Sequence, residues 1–211
     1  MLHRLTSLEH KAIKAQLNPH FLFNCLNSIQ NLIETNKQKE ANDYLLLFAK
    51  IIRRILQFSD KEEVSIHEEL ETLKIYTDLE KMRFHFNAIV DIDPAIDQYN
   101  TMIPPLLLQP LVENAIIHGL HPKEGEKTLR IEVQSRQHSI LFRISDNGVG
   151  RGSQENEITD KDKRGLDIVN SRIEIMNKCD LNGYSINLID EVNKEGKPEG
   201  TTVEILVPDE K

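Results

Sequence analysis

Apolar residues recur in steps of three and four over the first part of the chain. The repeated positions are Leu5, Leu8, Ala12, Ala15, Pro19, Leu22, Leu26, Ile29 and Ile33. A repeat of this length predicts a long helix whose apolar seam packs in a bundle or coiled coil. The pattern already runs at residue 2, so we expect the helix to continue upstream and this chain to be a fragment.

The same spacing returns after a short polar break from Thr35 to Glu40. It places apolar side chains at Ala41, Leu45, Phe48, Ile52 and Ile55. The two patterns together predict a helical hairpin. Because such a hairpin has too little apolar surface to be stable alone, we expect two copies to dimerise into four helices.

A different domain is predicted after the hairpin. Ser65 and Glu68 have capping-box spacing and start a third helix that runs to about Arg83. Alternation and turn residues then predict two further helices, 104–118 and 164–178, and five strands, 88–93, 128–135, 139–145, 184–189 and 201–207. We therefore expect an α+β chain: a dimerising hairpin over residues 1–61, then a two-layer α/β sandwich over residues 62–211, with helices on one face of a mostly antiparallel sheet.

Composition narrows the class of protein. A net charge of −8 disfavours a nucleic-acid surface, which needs a clustered positive field. The longest apolar runs, 44–49 and 103–108, are too short to span a bilayer. Cys25 and Cys179 have no paired spacing for a disulfide framework or a zinc site, which indicates a reducing, cytoplasmic setting.

His20 is the first candidate for chemistry. It follows Pro19 in an otherwise helical pattern, where proline costs about 3 kcal/mol relative to alanine. Histidine is largely a neutral nucleophile at pH 7. We interpret the bend as displaying His20 beside the seam, so that another part of the chain can phosphorylate it; the alternative is an ordinary histidine on a helix surface.

Two further motifs fall within the predicted sandwich. Residues 146–150, DNGVG, follow a strand, and their glycines let the backbone approach a ligand closely; a calcium loop or a plain turn is the alternative. Glu113 and Asn114 lie on a predicted helix, with Asn114 and His118 on one face, or they simply form a capped, solvent-facing helix end. His118 and His121 lack a third ligand for a metal site, so we expect a helix end there.

These motifs together resemble those of LytS-type (LytS/YehU-type) sensor histidine kinases. Residues 16–24, QLNPHFLFN, with LNSI at 26–29, resemble their phosphoacceptor box. Residues 111–119, LVENAIIHG, resemble the N-box of an ATPase domain that these kinases share with gyrase, heat-shock chaperones and MutL. Residues 146–150, DNGVG, resemble the first glycine box of that domain. IPPLLLQP at 103–110 and KMRF at 81–84 also resemble that subfamily.

The resemblance implies a Bergerat-type ATP-binding fold and a role for each matching residue. Asp146 would bind the adenine amino group, and Gly148 and Gly150 would shape the pocket. Asn114 would coordinate Mg²⁺ on the phosphates, with waters completing its shell. Gly165 and Leu166, at a helix start, would face phosphate, and Thr201 would lie near adenine. The nucleotide-binding set that we predict is Asn114, His118, Asp146, Gly148, Gly150, Lys163, Arg164, Gly165, Leu166 and Thr201.

The sequence departs from the family pattern in two places. Lys163 and Arg164 stand where relatives often have glycines; they either meet the triphosphate or form a solvated cluster that balances nearby acids. Phe21 stands where an acidic residue often follows the phosphoacceptor. Glu113 is the nearest motif carboxylate that could take a proton, and Asn24 could orient the ring or the phosphate, so His20, Asn24 and Glu113 are the predicted catalytic residues.

The function implied is that of a cytoplasmic two-component histidine kinase core. It would use ATP and Mg²⁺ to phosphorylate His20, then pass the phosphate to an aspartate on a response regulator, in relatives often one with a LytTR DNA-binding domain. We expect a soluble homodimeric fragment of an inner-membrane receptor, attached to the membrane only through an absent upstream segment and making no direct contact with nucleic acid. The rivals are a nucleotide-binding scaffold without phosphotransfer, that is, a pseudokinase, and a stand-alone ATPase or serine kinase.

Overall fold

The computed structural model describes residues 19–151, 169–171, 173–174, 177 and 183–209, with the backbone alone at Pro19 and His20. The helices are α1 (Pro19–Glu34), α2 (Gln38–Phe58), α3 (Ile66–Phe84) and α4 (Gln109–Asn114), which continues into a wider helical segment, Ala115–Leu120. The strands are β1 (Val64–Ser65), β2 (Asn87–Ile92), β3 (Met102–Ile103), β4 (Thr128–Arg136), β5 (Ser139–Asp146), β6 (Ser185–Val192) and β7 (Pro198–Pro208).

Helices α1 and α2 form the expected hairpin, with the break between them at residues 35–37. Phe21 and Cys25 are buried, and the Phe21 ring lies 5.7 Å from the ring of Tyr76 on α3. The hairpin is therefore packed against α3 from its first described turn. Residues 1–18, and with them the predicted bend before Pro19, lie outside the described residues.

The hairpin carries six large apolar side chains that remain in contact with solvent. We call this set the exposed hairpin face: Phe23, Leu26, Ile33, Leu45, Leu46 and Leu56. Leu26 is 52% exposed and Ile33 57% exposed, although both belong to the predicted seam. Exposed apolar side chains are where we look for an interaction site.

The predicted capping box at the start of α3 is confirmed. The Ser65 hydroxyl accepts a hydrogen bond from the Glu68 backbone N–H at 3.1 Å, and the Glu68 carboxylate accepts one from the Ser65 N–H at 3.1 Å. Two backbone donors that the first turn would leave unpaired are thereby satisfied. Helix α3 consequently begins where the sequence predicted.

Replacing Ser65 with alanine should destabilise the protein by about 1 kcal/mol, because the N-cap acceptor is lost. Urea unfolding should show a lower midpoint with an unchanged slope. Ser135→Ala is a suitable control, because Ser135 is exposed near the end of β4. Equal midpoints for the two variants would contradict a stabilising role for the cap.

Five strands form one mixed sheet in the order β2-β4-β5-β7-β6. Among the strands that the structure describes, only β2 and β4 run parallel; the other neighbours are antiparallel, as expected. Alternate residues of the central strands point into the core, and the wider helical segment packs against β4, β5 and β7. On the opposite face Arg143 pairs with Glu132 and Glu204, so that face is polar. The described helical segment that packs on the sheet thus lies on its apolar face.

The helix predicted over residues 104–118 is wrong at its start. Helix α4 begins at Gln109, and residues 104–108 form a turn in which Leu106 has φ +55°. A left-handed residue cannot be part of an α-helix, so the helix is delayed by five residues. The predicted helix over 164–178 falls largely outside the described residues, of which 169–171, 173–174 and 177 are helical.

A helix that spans a bilayer needs about 20 predominantly apolar residues. None of the described helices combines the length and the hydropathy that this requires.

Candidate functional site

Asp146 is the last residue of β5 and faces the helical layer. Its register partners are Leu129 on β4 and Thr201 on β7, and its side chain follows the buried series Ile140, Phe142 and Ile144. The residue is only 7% exposed. The Gly148 N–H donates to Asp146 Oδ1 at 2.8 Å, which folds the loop back over the strand end. The strand alternation therefore delivers a carboxylate into the boundary between the sheet and the helices.

Glycines allow the backbone to close around this carboxylate. A Cβ atom on Gly119 would overlap Asp146 Oδ1, and one on Gly148 would overlap both Oδ1 and the Gly119 carbonyl group. Gly200 has φ +145°, and a Cβ there would overlap the Asp146 carbonyl oxygen. Three separate segments can approach Asp146 only because these three positions lack side chains.

The electrostatic environment of Asp146 is unusual for a carboxyl group. Burial raises the pKa of Asp146 to about 6, against the lowering effects of the Gly148 hydrogen bond, the Lys123 charge and a Thr201 backbone hydrogen bond. At neutral pH the group is ionised and poorly solvated. A hydrogen-bond donor on a ligand would therefore stabilise it strongly.

The loop after Asp146 is fixed by its neighbours. Lys123 Nζ donates to the Asn147 carbonyl oxygen. The Asn147 side chain accepts from the Thr128 N–H at 2.8 Å and donates to the Glu126 carbonyl at 3.2 Å. These contacts hold the segment that leads into Gly148 and Gly150, so the glycine loop is preformed up to that point.

The N-box residues lie on the helix formed by residues 109–120, which we call the N-box helix. Asn114 ends its α-helical part and is half-buried, whereas His118 is exposed. From Ala115 the helix widens, and the His121 N–H donates to the Ile116 carbonyl five residues earlier at 2.8 Å. Such wide turns are frequent at functional sites. At the far end the Val149 N–H donates to the Gly119 carbonyl at 3.1 Å, which joins this helix to the glycine loop.

Glu113 lies on the same helix, close to α3. Burial, and then the charge of Glu113, raise the pKa of Tyr76. The same charge acts on Glu80, which is fully buried and paired with Arg83 at 2.8 Å; burial raises the pKa of Glu80. Tyr76 also contacts Phe21, which is the residue that follows His20. Tyr76 therefore lies near both the start of α1 and the N-box helix.

The structure brings most of the described nucleotide-binding candidates together at Asp146. Gly148 and Thr201 hydrogen-bond with its carboxylate, and Gly150, with φ +67°, lies against Pro198 beside Gly200. His20 is the second residue of α1, and Asn24 is half-buried one turn later, so both belong to the hairpin. Four predicted residues lie outside the described ones: Lys163, Arg164, Gly165 and Leu166.

Three residues at the site were absent from the predicted set. Gly119 lies inside the N-box and Gly200 precedes Thr201, so both stood in recognised motifs without an assigned role. Lys123 gave no signal, because a lysine three residues beyond the helix looks like any surface cation. His121 packs against Phe84 at 4.6 Å between ring centres, and burial lowers its pKa, consistent with a helix-end role.

Comparison with known proteins identifies two family models along the chain. Residues 8–88 match the model described as histidine kinase. Residues 105–211 match the model for histidine kinase-, DNA gyrase B- and HSP90-like ATPases, which covers just over half of the chain. Helix α3 falls within the first match and the N-box helix within the second. The domain division at residues 61 and 62 stays a prediction.

Curated relatives extend this result. The chain is 36% identical over 144 residues to the sensor histidine kinase YpdA of Escherichia coli K12, covering 67% of this chain and 25% of the relative. It is 35% identical to the sensor protein LytS of Staphylococcus saprophyticus, covering 67% and 24%, and 32% identical to the sensor histidine kinase YesM of Bacillus subtilis 168, covering 79% and 29%. The chain thus spans about a quarter of the length of these relatives.

A solved structure supports the fold. The histidine kinase domain of the blue-light activated histidine kinase EL346 from Erythrobacter litoralis has a TM-score of 0.50 at 14% identity, covering 77% of this chain and 75% of that one. With both family models in place, the chain belongs to the family of histidine kinase-, DNA gyrase B- and HSP90-like ATPases, and its first part matches the histidine kinase model.

Proposed function

We propose that the chain is the catalytic core of a two-component sensor kinase, in which ATP bound at Asp146 phosphorylates His20. The observation that carries the proposal is the buried, ionised carboxylate of Asp146, enclosed by Gly119, Gly148 and Gly200. This arrangement occurs in a chain whose first described helix begins at Pro19-His20. Asp146 would hold the phosphoryl donor, and His20 would accept the phosphoryl group.

Asp146 would select the adenine end of the nucleotide. Its carboxylate accepts hydrogen bonds from the Gly148 N–H and the Thr201 backbone, and with about four lone-pair sites it retains acceptor capacity for an exocyclic amino group. Thr201, the register partner of Asp146 on β7, would lie beside the ring. Because an ionised acceptor gives stronger hydrogen bonds than a neutral one, this contact would supply much of the specificity for adenine.

The N-box helix would serve the phosphate end. Within the described part of the chain no three His, Cys, Asp or Glu side chains gather as a metal site, so Mg²⁺ would depend on the phosphates and on the Asn114 amide oxygen. The cation would neutralise charge on the phosphates. Lys163, Arg164, Gly165 and Leu166 remain proposed phosphate contacts, and His118 a proposed edge contact.

His20 would act as the nucleophile. One imidazole nitrogen forms a bond to the γ-phosphorus, the bond from that phosphorus to the bridging oxygen breaks, and ADP leaves. The ring then loses its N–H proton, which Glu113 would accept, while Asn24 would orient the imidazole. Positioning and charge stabilisation provide most of the catalysis in phosphoryl transfer, so little help from a base is required.

The assembly would be a homodimer whose hairpins pack through the exposed hairpin face. Burying that face supplies the apolar contacts that the hairpin lacks alone. The phosphohistidine would transfer its phosphoryl group to an aspartate of a response regulator, and the resemblance favours one with a LytTR DNA-binding domain. Attachment to a membrane would come from a segment upstream of this chain.

Leu26→Glu should convert the dimer to monomer. Leu26 is 52% exposed in one chain, and a charge buried at a dimer seam would be left unpaired. Light scattering coupled to size-exclusion chromatography would report the change in mass. Asn42→Glu, which adds the same charge at an exposed polar position of α2, should leave the dimer intact. A dimeric Leu26→Glu protein would show that another surface mediates assembly.

Incubation with ATP labelled in its γ-phosphate tests the proposed activity directly. We expect covalent label on the protein that is lost in acid and kept in alkali, as a phosphoramidate requires. Acid-stable label would indicate a serine kinase instead. Nucleotide binding without any label would indicate a scaffold, and release of phosphate without label would indicate an ATPase.

A further inference from the structure

Glu69 is a buried carboxylate that none of the proposed chemical steps uses. It lies one turn into α3 and is 1% exposed. Its Oε2 accepts a hydrogen bond from the Leu106 N–H at 2.8 Å, and its Oε1 accepts one from the Leu108 N–H at 3.0 Å. The two carboxylate oxygens therefore bind alternate amides of a turn that is nearly 40 residues away in sequence.

That turn leads directly into the N-box helix. Leu106 adopts φ +55°, a left-handed conformation that is unfavourable for a non-glycine residue. Leu108, the N-cap of α4, makes no side-chain capping hydrogen bond. The hydrogen bonds from Leu106 and Leu108 to Glu69 offset the cost of the turn and fix the point from which the helix starts.

The N-box helix is therefore held at its two ends by different partners. At its start, Glu69 attaches it to α3 through Leu106 and Leu108. At its far end, Gly119 packs against Gly148 and accepts a hydrogen bond from Val149, which attaches it to the adenine loop. Asn114 lies between the two attachments, and only the second involves Asp146 and its neighbours.

We infer that Glu69 is a positioning residue that sets Asn114 for the Mg²⁺-bound phosphates. It acts through the backbone of residues 106–108 and does not touch the nucleotide. The inference rests on the proposed function, since it assigns a part of that same site. This role predicts different effects at the two ends of the nucleotide. Loss of Glu69 disturbs binding of the phosphates, while the site around Asp146 that holds adenine keeps its own attachment.

Glu69→Gln tests this, because the amide group places an N–H donor against one of the two backbone donors and leaves a single acceptor. The measurement is the ATP dissociation constant with excess Mg²⁺ and again with EDTA, by calorimetry on the full chain. In wild type, Mg²⁺ should tighten binding. In the variant we expect this Mg²⁺-dependent gain to fall about tenfold, the scale for losing a group that orients a metal ligand, with affinity in EDTA changing less than about twofold.

Glu68→Gln is the matched control. Glu68 neighbours Glu69 and stabilises the start of α3 through the capping box, but its carboxylate accepts hydrogen bonds from Ser65 and Lys61. It should lower stability while leaving the Mg²⁺-dependent gain unchanged. If Glu69→Gln fails to fold, Glu69→Asp keeps the charge, cannot span both amides, and should show the same selective loss.

Three results would overturn the role. The Mg²⁺-dependent gain could be unchanged, both affinities could fall equally, or Glu68→Gln could match Glu69→Gln. Wild-type protein that binds no nucleotide at all would instead refute the proposed function, and with it this role. Slow hydrogen exchange at the Leu106 and Leu108 amides, lost in Glu69→Gln without global unfolding, is the accompanying structural signature.

Discussion

Replacing His20 with glutamine should abolish labelling of the protein by γ-labelled ATP. Glutamine is polar and similar in size, but its amide nitrogen carries no available lone pair and cannot attack phosphorus. ATP binding should be unchanged within about twofold, because Asp146 and the N-box helix are untouched. Labelling and nucleotide affinity measured on the same preparation would separate loss of the acceptor from loss of the site.

His138→Gln provides the control for this experiment. His138 is exposed at the turn between β4 and β5, and the same substitution there should leave labelling at the wild-type level. Label that persists in His20→Gln would exclude His20 as the acceptor. Acid-labile label of that kind would point to another histidine, whereas acid-stable label would point to a hydroxyl side chain.

Local chemistry explains which elements could be predicted from the sequence. The start of α3 depends on Ser65 and Glu68, which are three residues apart, so their spacing sufficed. The alternation in β4 and β5 likewise survives in the structure, because the inward residues of each strand are buried in the core. Where neighbours in sequence determine the geometry, the pattern was enough.

Distant contacts explain the errors. The turn before the N-box helix depends on Glu69, which binds Leu106 and Leu108 across almost 40 residues, so the periodicity alone placed the helix start too early. The wide segment after Asn114 was not predicted either. Gly119, within this segment, packs against Gly148 of the glycine loop, and hydrophobic spacing does not report such a distant contact.

In the candidate site, too, some residues could be predicted from linear motifs and others depend on contacts between distant parts of the chain. Asp146, Asn114, Gly148 and Thr201 stand in linear motifs, and the structure places Asp146, Gly148 and Thr201 in direct contact. The charge of Lys123 acts on Asp146, and its amino group binds the Asn147 carbonyl, because the chain returns to the end of β5 after the N-box helix. Its contribution follows from the tertiary fold, which the order of motifs does not specify.

Asp146→Asn should weaken ATP binding by roughly 10- to 100-fold, since a hydrogen bond to a charged acceptor is worth about 1.5–3 kcal/mol. In wild type the affinity should also fall as the pH drops through about 6, because protonation weakens Asp146 as an acceptor. The variant should lack this pH dependence. Titration with a fluorescent ATP analogue between pH 5 and 8 measures both effects, and Asp91→Asn, at an exposed carboxylate on β2, serves as the control.

The same substitution should stabilise the free protein at neutral pH. The pKa of Asp146 is about 6 in the folded chain against 3.8 for an unperturbed group, so between these values the folded state binds more protons than the unfolded state. Stability is then lost as the pH rises from about 4 to 6, and the loss persists above that; a shift of this size corresponds to roughly 3 kcal/mol. Asparagine avoids this loss, so the melting temperature of Asp146→Asn should match that of wild type near pH 4 and exceed it at pH 8. A variant that is less stable at pH 8 would show that the ionised carboxylate stabilises the fold, and would remove the argument that Asp146 is kept for its ligand.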